Sequence, residues 1–104
     1  MMMEMELNEK KAKENHIDID ECYAMVDKFF KERGVKIISK GVYKGENKDF
    51  DTFMKAQWDL PDSGWFLKIV EKWFFRYEGD TIEDREDALA SYYRVEARYA
   101  DFKW

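Results

Sequence analysis

The sequence has few of the residues that common small-protein chemistries need. A single cysteine, Cys22, leaves no partner for a disulfide within the chain, which is typical of proteins from a reducing compartment. A single histidine, His16, gives no two-histidine metal motif, and neither paired cysteines nor a glycine-rich phosphate loop is present. We therefore predict no metal site and no cofactor. Cys22 is interpreted as a small buried hydrophobic residue rather than a nucleophile.

Long apolar runs, proline and glycine are also scarce. No apolar run approaches the ~18 residues that span a bilayer. Residues 1–15 are charged throughout, unlike a secretion signal. We therefore expect a cytoplasmic protein without membrane contact. One proline and five glycines in 104 residues argue against a loop-rich fold, and 45% hydrophobic content argues against disorder.

Charge is distributed unevenly along the chain, which has a net charge of −5. Residues 28–44 carry six basic side chains and one acid, a net charge of +5. Residues 78–87 carry six acids and one arginine, and residues 1–27 carry eight acids and three lysines, a net charge of −5 in each. The overall acidity argues against a general basic nucleic-acid binder, and the separated charges favour electrostatic steering toward a charged partner.

The chain is predicted to hold one domain. Residues 1–16 have the composition of a flexible N-terminal arm, in which Met5 and Leu7 are the only large apolar residues after the first three methionines. Residues 17–104 have the length and apolar content of a single α+β domain with one core.

The first predicted helix spans residues 18–34. Asp18 and Glu21 have capping-box spacing, and Gly34 stands where a left-handed residue ends a helix. One face carries apolar residues at helical spacing, namely Ile19, Cys22, Tyr23, Val26, Phe29 and Phe30.

Three strands are predicted after this helix. Residues 35–44 alternate in polarity as one strand. Residues 50–59 fit a strand or a helix, and the turn chemistry at 60–64, which includes Pro61, favours a hairpin with a strand on either side. Residues 65–77 also fit both periods, and their continuous aromatic and β-branched composition favours a strand.

Large aromatic residues concentrate between residues 58 and 77, with three of the four tryptophans: Trp58, Trp65 and Trp73. Because large rings supply the largest burial energies, we expect this segment to cross the core. A second helix is predicted from Thr81, with Asp84 at capping-box spacing, and a strand across residues 93–99 is the less simple alternative.

These elements predict a two-layer α+β fold with an N-terminal helix, a three-stranded antiparallel meander and a C-terminal helix. One face of the sheet would stay open, and Ile38 and Val42 on it could pair two copies as a homodimer.

An acidic surface is the first candidate for function. Carboxylates cluster in residues 78–87, and five of them are predicted to bind a partner: Glu78, Asp80, Glu83, Asp84 and Asp87. Such a cluster can occupy a groove built for phosphates, although acids also stabilise helix N-termini. The main hypothesis is a non-catalytic, acidic inhibitor of a nucleic-acid-processing protein, of the anti-CRISPR or immunity type.

Two alternatives stay open. Lys36, Lys40 and Lys44 would share one strand face and could contact a nucleic-acid backbone, although exposed lysines also protect sheets from stacking. The other alternative is a small enzyme with a pocket that combines a carboxylate with Tyr92, Tyr99 or His16.

Overall fold

A five-stranded antiparallel sheet organises the molecule in the computed structural model, which describes residues 1–77 and 79–100, with side chains up to Glu96. The strands are β1 (Met2–Leu7), β2 (Lys36–Ser39), β3 (Val42–Lys44), β4 (Val70–Arg76) and β5 (Glu86–Asp87), in the spatial order β2-β3-β1-β4-β5. The α-helices are α1 (Glu9–Glu14), α2 (Ile19–Glu32), α3 (Phe50–Asp59), α4 (Phe66–Ile69) and α5 (Ala88–Ala100). The α+β class is as predicted, but the three-stranded meander between two helices is wrong.

Strand β1 is the central strand. It pairs with β3 through Met2 and Lys44 and with β4 through Met2 and Arg76. Its side chains alternate, so that Met3, Met5 and Leu7 are buried while Glu4 and Glu6 face outward. The prediction of a flexible arm over residues 1–16 is therefore corrected: the period-two burial of these apolar side chains fixes residues 2–7 in the sheet, and residues 9–14 form α1.

Helix α2 confirms the prediction made from residues 18–34. Asp18 Oδ1 accepts hydrogen bonds from the Asp20 and Glu21 backbone N–H groups at 3.0 and 3.3 Å. The apolar face is buried at Cys22, Tyr23, Val26 and Phe30.

Residues 35–44 form a hairpin, β2–β3, rather than the single strand predicted. Gly41 adopts a φ of 77° and its carbonyl accepts the Met5 N–H at 2.8 Å, so the turn packs against β1.

The middle of the chain is more helical than predicted. Residues 50–59 are α3, because Phe53, Ala56 and Leu60 all reach the core from one helical face. Pro61 opens a 3₁₀ turn, Pro61–Ser63, instead of a hairpin. Residues 65–77, whose pattern fits both a helix and a strand, form one of each: Phe66–Ile69 is helical, and Val70–Arg76 is the predicted strand.

Aromatic rings join the helices to one face of the sheet. Phe30 of α2 stacks on Tyr43 of β3 with centroids 4.5 Å apart, and Phe66 of α4 meets Trp73 of β4 edge-on at 4.9 Å. Trp73 is buried as expected, but Trp58 is 76% exposed on the outer side of α3. The aromatic segment therefore crosses the core only in part.

The end of the chain starts its helix later than predicted. The Thr81–Asp84 capping box is present, but it caps the start of the 3₁₀ turn Ile82–Asp84, which β5 and then α5 follow. In the described part of the chain, no helix combines the length and the hydropathy needed to cross a membrane.

Candidate protein-binding surfaces

The acidic edge, defined here as Asp80, Glu83, Asp84 and Asp87, comprises one residue of β5 and three residues that precede this strand, at one end of the sheet. Glu83, Asp84 and Asp87 are exposed and Asp80 is half-buried. Glu78, which was predicted to belong to the same surface, lies outside the described residues.

Backbone hydrogen bonds hold three of these carboxylates in place. Asp80 Oδ2 accepts the Tyr77 N–H at 2.9 Å, Asp84 Oδ2 accepts the Thr81 N–H at 3.2 Å, and Asp87 Oδ1 accepts the Ala90 N–H at 3.0 Å. These three acids therefore stabilise the starts of turns and of a helix by accepting hydrogen bonds from backbone N–H groups. The carboxylates of Asp84 and Asp87, which cap backbone N–H groups, remain exposed. Their charge therefore still faces solvent in a fixed arrangement.

Tyr77 links the acidic edge to the neighbouring strand. Its hydroxyl donates to Glu86 Oε2 at 3.4 Å. The pKa of the Tyr77 phenol is raised above its usual value. Burial is the largest cause, and the negative charge of Glu86 is the second. The phenol therefore stays protonated and keeps its hydrogen bond at neutral pH.

A charged cluster on the open face of the sheet ties the acidic edge to β1. Glu4 lies between Arg76 of β4 and Arg85, which precedes β5, at 3.0 and 3.1 Å. The Arg85 guanidinium also stacks 3.8 Å from the centre of the Phe74 ring. This cluster is not evident from the sequence, because the composition of residues 1–16 predicts an arm and not a strand. The available signal was the alternation of methionine and glutamate along β1.

The three predicted lysines do not share one strand. Lys36 and Lys44 are exposed and lie opposite each other across the β2–β3 pair, whereas Lys40 lies in the turn. The Lys40 amine is 3.7 Å from Asp20 and 4.6 Å from the Tyr23 ring centre. The prediction that the three lysines share one strand face is therefore corrected: Lys36 and Lys44 form a cross-strand pair and Lys40 is a separate turn residue, because the hairpin reverses the chain between the strands.

The described groups considered for catalysis lie on separate elements: Cys22 on α2, Tyr92 on α5 and His16 after α1. Burial, with Asp18 and Glu21 adding to it, raises the pKa of the Cys22 thiol, which therefore stays protonated and weakly nucleophilic. His16 is exposed after α1. The pKa of Tyr92 is raised by burial and then by the charges of Glu96 and Asp62. The side chain of Tyr99 lies outside the described residues, and within the described range no three His, Cys, Asp or Glu side chains form a metal-binding group.

Comparison of the chain with protein-family models, with curated proteins and with solved structures finds no match.

Proposed function

We propose that this protein is a non-catalytic binding module that inhibits a nucleic-acid-processing protein, of the anti-CRISPR or immunity type, through the acidic edge. The exposed carboxylates would occupy a groove in the partner that otherwise receives phosphates. We place this activity in the cytoplasm, in line with the lone cysteine, which needs no oxidising compartment.

The observation that carries the proposal is the separation of charge across the sheet. The strand order puts the exposed Lys36 and Lys44 at the β2–β3 edge and the acidic edge beside β5. Four interstrand spacings separate the outermost strands by roughly 19 Å. This distance exceeds the Debye length of about 10 Å at 0.1 M salt, so a partner that docks at one edge is little affected by the other. Such a charge layout favours oriented, salt-dependent association.

Preorganisation is the second support. Capping hydrogen bonds fix the carboxylates at residues 80, 84 and 87, and the Arg85–Glu4 ion pair holds their segment against β1. A surface that is ordered before binding loses less conformational entropy when a partner docks.

The test is inhibition of purified enzymes. We would assay a panel of RNA-guided nucleases and restriction nucleases for DNA cleavage with and without an excess of the chain. For an enzyme that is inhibited, association is then compared between wild type and E83Q/D84N/D87N, in which asparagine can still cap. Loss of three charges should slow association about tenfold or more at low salt and change dissociation little.

The matched control is E9Q/E14Q/E32Q, which removes three exposed carboxylates away from the acidic edge. It should associate at nearly the wild-type rate. Equal association rates for both triple variants and wild type would contradict a role for the acidic edge, even if the enzyme is inhibited.

The alternative function is nucleic-acid binding by the open face of the sheet. The specific observation is the row formed by Lys36, Lys44 and Arg76, which the register places on one side of the sheet with Met2 between the last two. Direct binding would appear as a gel shift at low salt, with a salt dependence that weakens by about two ion equivalents in K36Q/K44Q. An unshifted nucleic acid at low salt excludes this alternative.

A further inference from the structure

Two exposed isoleucines lie at opposite ends of the sheet, each among charges of one sign. Ile38 belongs to β2, the outermost strand on one side, and is 52% exposed. Ile82 begins the 3₁₀ turn just before β5, the outermost strand on the other side, and is 59% exposed. Neither side chain belongs to the buried core or packs against it, so the fold does not require an apolar residue at either place.

Cations surround Ile38. Lys36 precedes it by two positions on β2, and Lys44 lies opposite Lys36 on β3. Both lysines are exposed, and no described acidic side chain forms an ion pair with either ammonium. Residues 28–44 as a whole have a net charge of +5. We call Lys36, Ile38 and Lys44 the basic edge.

Carboxylates surround Ile82. Glu83 is the next residue, and the exposed Asp84 and Asp87 are fixed nearby by their capping hydrogen bonds. Within the described part of the chain, the Glu83 carboxylate accepts no hydrogen bond and forms no ion pair, so it is available to a partner. Ile82 is therefore an apolar contact point inside the acidic edge.

Opposite charges around two exposed isoleucines make the basic edge and the acidic edge complementary to each other. They cannot meet within one copy, because four interstrand spacings of roughly 19 Å separate the outermost strands. They can meet between two copies, with Ile82 of one copy against Ile38 of the other. Two basic edges or two acidic edges would instead bring like charges together, so the charges select a contact between unlike edges.

We propose that a second copy of this chain docks head to tail, with its basic edge on the acidic edge of the first copy and Ile38 against Ile82. Because the two surfaces differ, the contact is heterologous, and each pair keeps one uncovered edge of either kind to which further copies can add. The contact does not depend on the inhibitory function proposed above, but it covers the same acidic edge. A nucleic-acid-processing partner and a second copy would therefore compete for that edge.

Sedimentation equilibrium at 0.1 M salt tests the proposal. Two partly exposed isoleucines and their charged neighbours cover much less than the ~1,200 Å² of a small stable interface, so the association is weak. From roughly 10 µM to roughly 1 mM, the weight-average mass of the wild type should rise from 12.7 kDa past twice that value. In 1 M salt, where the Debye length falls to about 3 Å, association should weaken several-fold.

Two variants that each remove one edge test the head-to-tail arrangement. I82S/E83Q changes only the acidic edge and leaves its three capping carboxylates in place, and K36Q/I38S changes only the basic edge. Each variant alone should stay monomeric. An equimolar mixture keeps one intact contact, between the basic edge of I82S/E83Q and the acidic edge of K36Q/I38S. The mixture should therefore form a heterodimer that grows no further.

The matched control is V95S/E96Q, which makes the same kinds of change at an exposed valine and the adjacent glutamate on α5. It should associate like the wild type, and circular dichroism checks that all three variants are folded. A wild type that stays monomeric at every concentration overturns the proposal without any variant. Self-association of I82S/E83Q alone, a mixture that stays monomeric, or an equal loss in V95S/E96Q would each overturn the head-to-tail contact. No nuclease is present, so these results are independent of the inhibition test.

Discussion

The hydroxyl of Tyr43 is the most strongly perturbed phenol among the described residues. Tyr43 is fully buried, and its hydroxyl donates to Asp27 Oδ1 at 2.6 Å. Burial, followed by the hydrogen bond and the charge of Asp27, raises the pKa of this phenol far above its ordinary value. The folded state therefore holds the Tyr43 proton more tightly than the unfolded chain does.

This difference predicts alkaline destabilisation. The unfolded tyrosine loses its proton near pH 10, so the contribution of Tyr43 is complete below that pH and is lost as pH rises through the folded pKa. Each such group lowers the free energy of unfolding by about 1.4 kcal/mol per pH unit within that window. Y43F should therefore be about 1 kcal/mol less stable than wild type at pH 7, because Asp27 loses a donor, but lose less stability between pH 9 and pH 11.

Urea unfolding at several pH values measures this difference. The wild type and Y93F, which changes a 52% exposed tyrosine on α5, should show the same steep decline above pH 10. If Y43F declines as steeply as they do, the Tyr43–Asp27 hydrogen bond is not a source of the alkaline sensitivity.

Among the larger elements, the β2–β3 hairpin depends on the absence of a side chain at Gly41. A Cβ at this position would collide with the Met5 backbone carbonyl, and Gly41 also has a φ of 77°. G41A should therefore combine left-handed strain with displacement of the turn and loss of the Met5–Gly41 hydrogen bond, about 3 kcal/mol or more in total.

Gly34 provides a matched control, because it has the same φ of 77° and no atom within 4 Å of a built Cβ. G34A should lose about 1 kcal/mol from strain alone. Chemical denaturation of both variants gives the comparison. Similar losses of stability would mean that the close approach to β1 does not constrain the hairpin.

The elements that can be predicted from the sequence are those whose signals lie close together in the chain. Helix α2 has one apolar face, a capping aspartate directly before its first residue and a glycine two residues after its last. Residues 50–59 fit two periods equally, and what makes them helical is the packing of Phe53 against Phe30 and Phe75, which no local pattern contains. The carboxylates of the acidic edge were identified from composition, but their position at the end of the sheet follows from strand order, which depends on distant pairing.

At the scale of the whole molecule, β1 connects segments that are far apart in the chain. Met3 lies opposite Tyr43 on one side and Phe75 on the other, and it is fully buried. Met2, its neighbour, is only half-buried because it points to the open face. The two methionines thus offer the same substitution on opposite faces of one strand.

M3Q should bury an amide without partners and leave part of the core unfilled, at a cost of about 3 kcal/mol, whereas M2Q should cost less than about 1 kcal/mol. Because β1 contacts both halves of the sheet, the loss in M3Q should appear in one cooperative transition, seen alike by far-ultraviolet dichroism and by tryptophan fluorescence. A large fraction of the 5–15 kcal/mol that holds a typical domain folded would be lost. If residues 1–16 were a flexible arm, both variants would unfold at the same urea concentration as the wild type. Equal unfolding midpoints for M3Q, M2Q and wild type would therefore contradict the central position of β1 in the sheet.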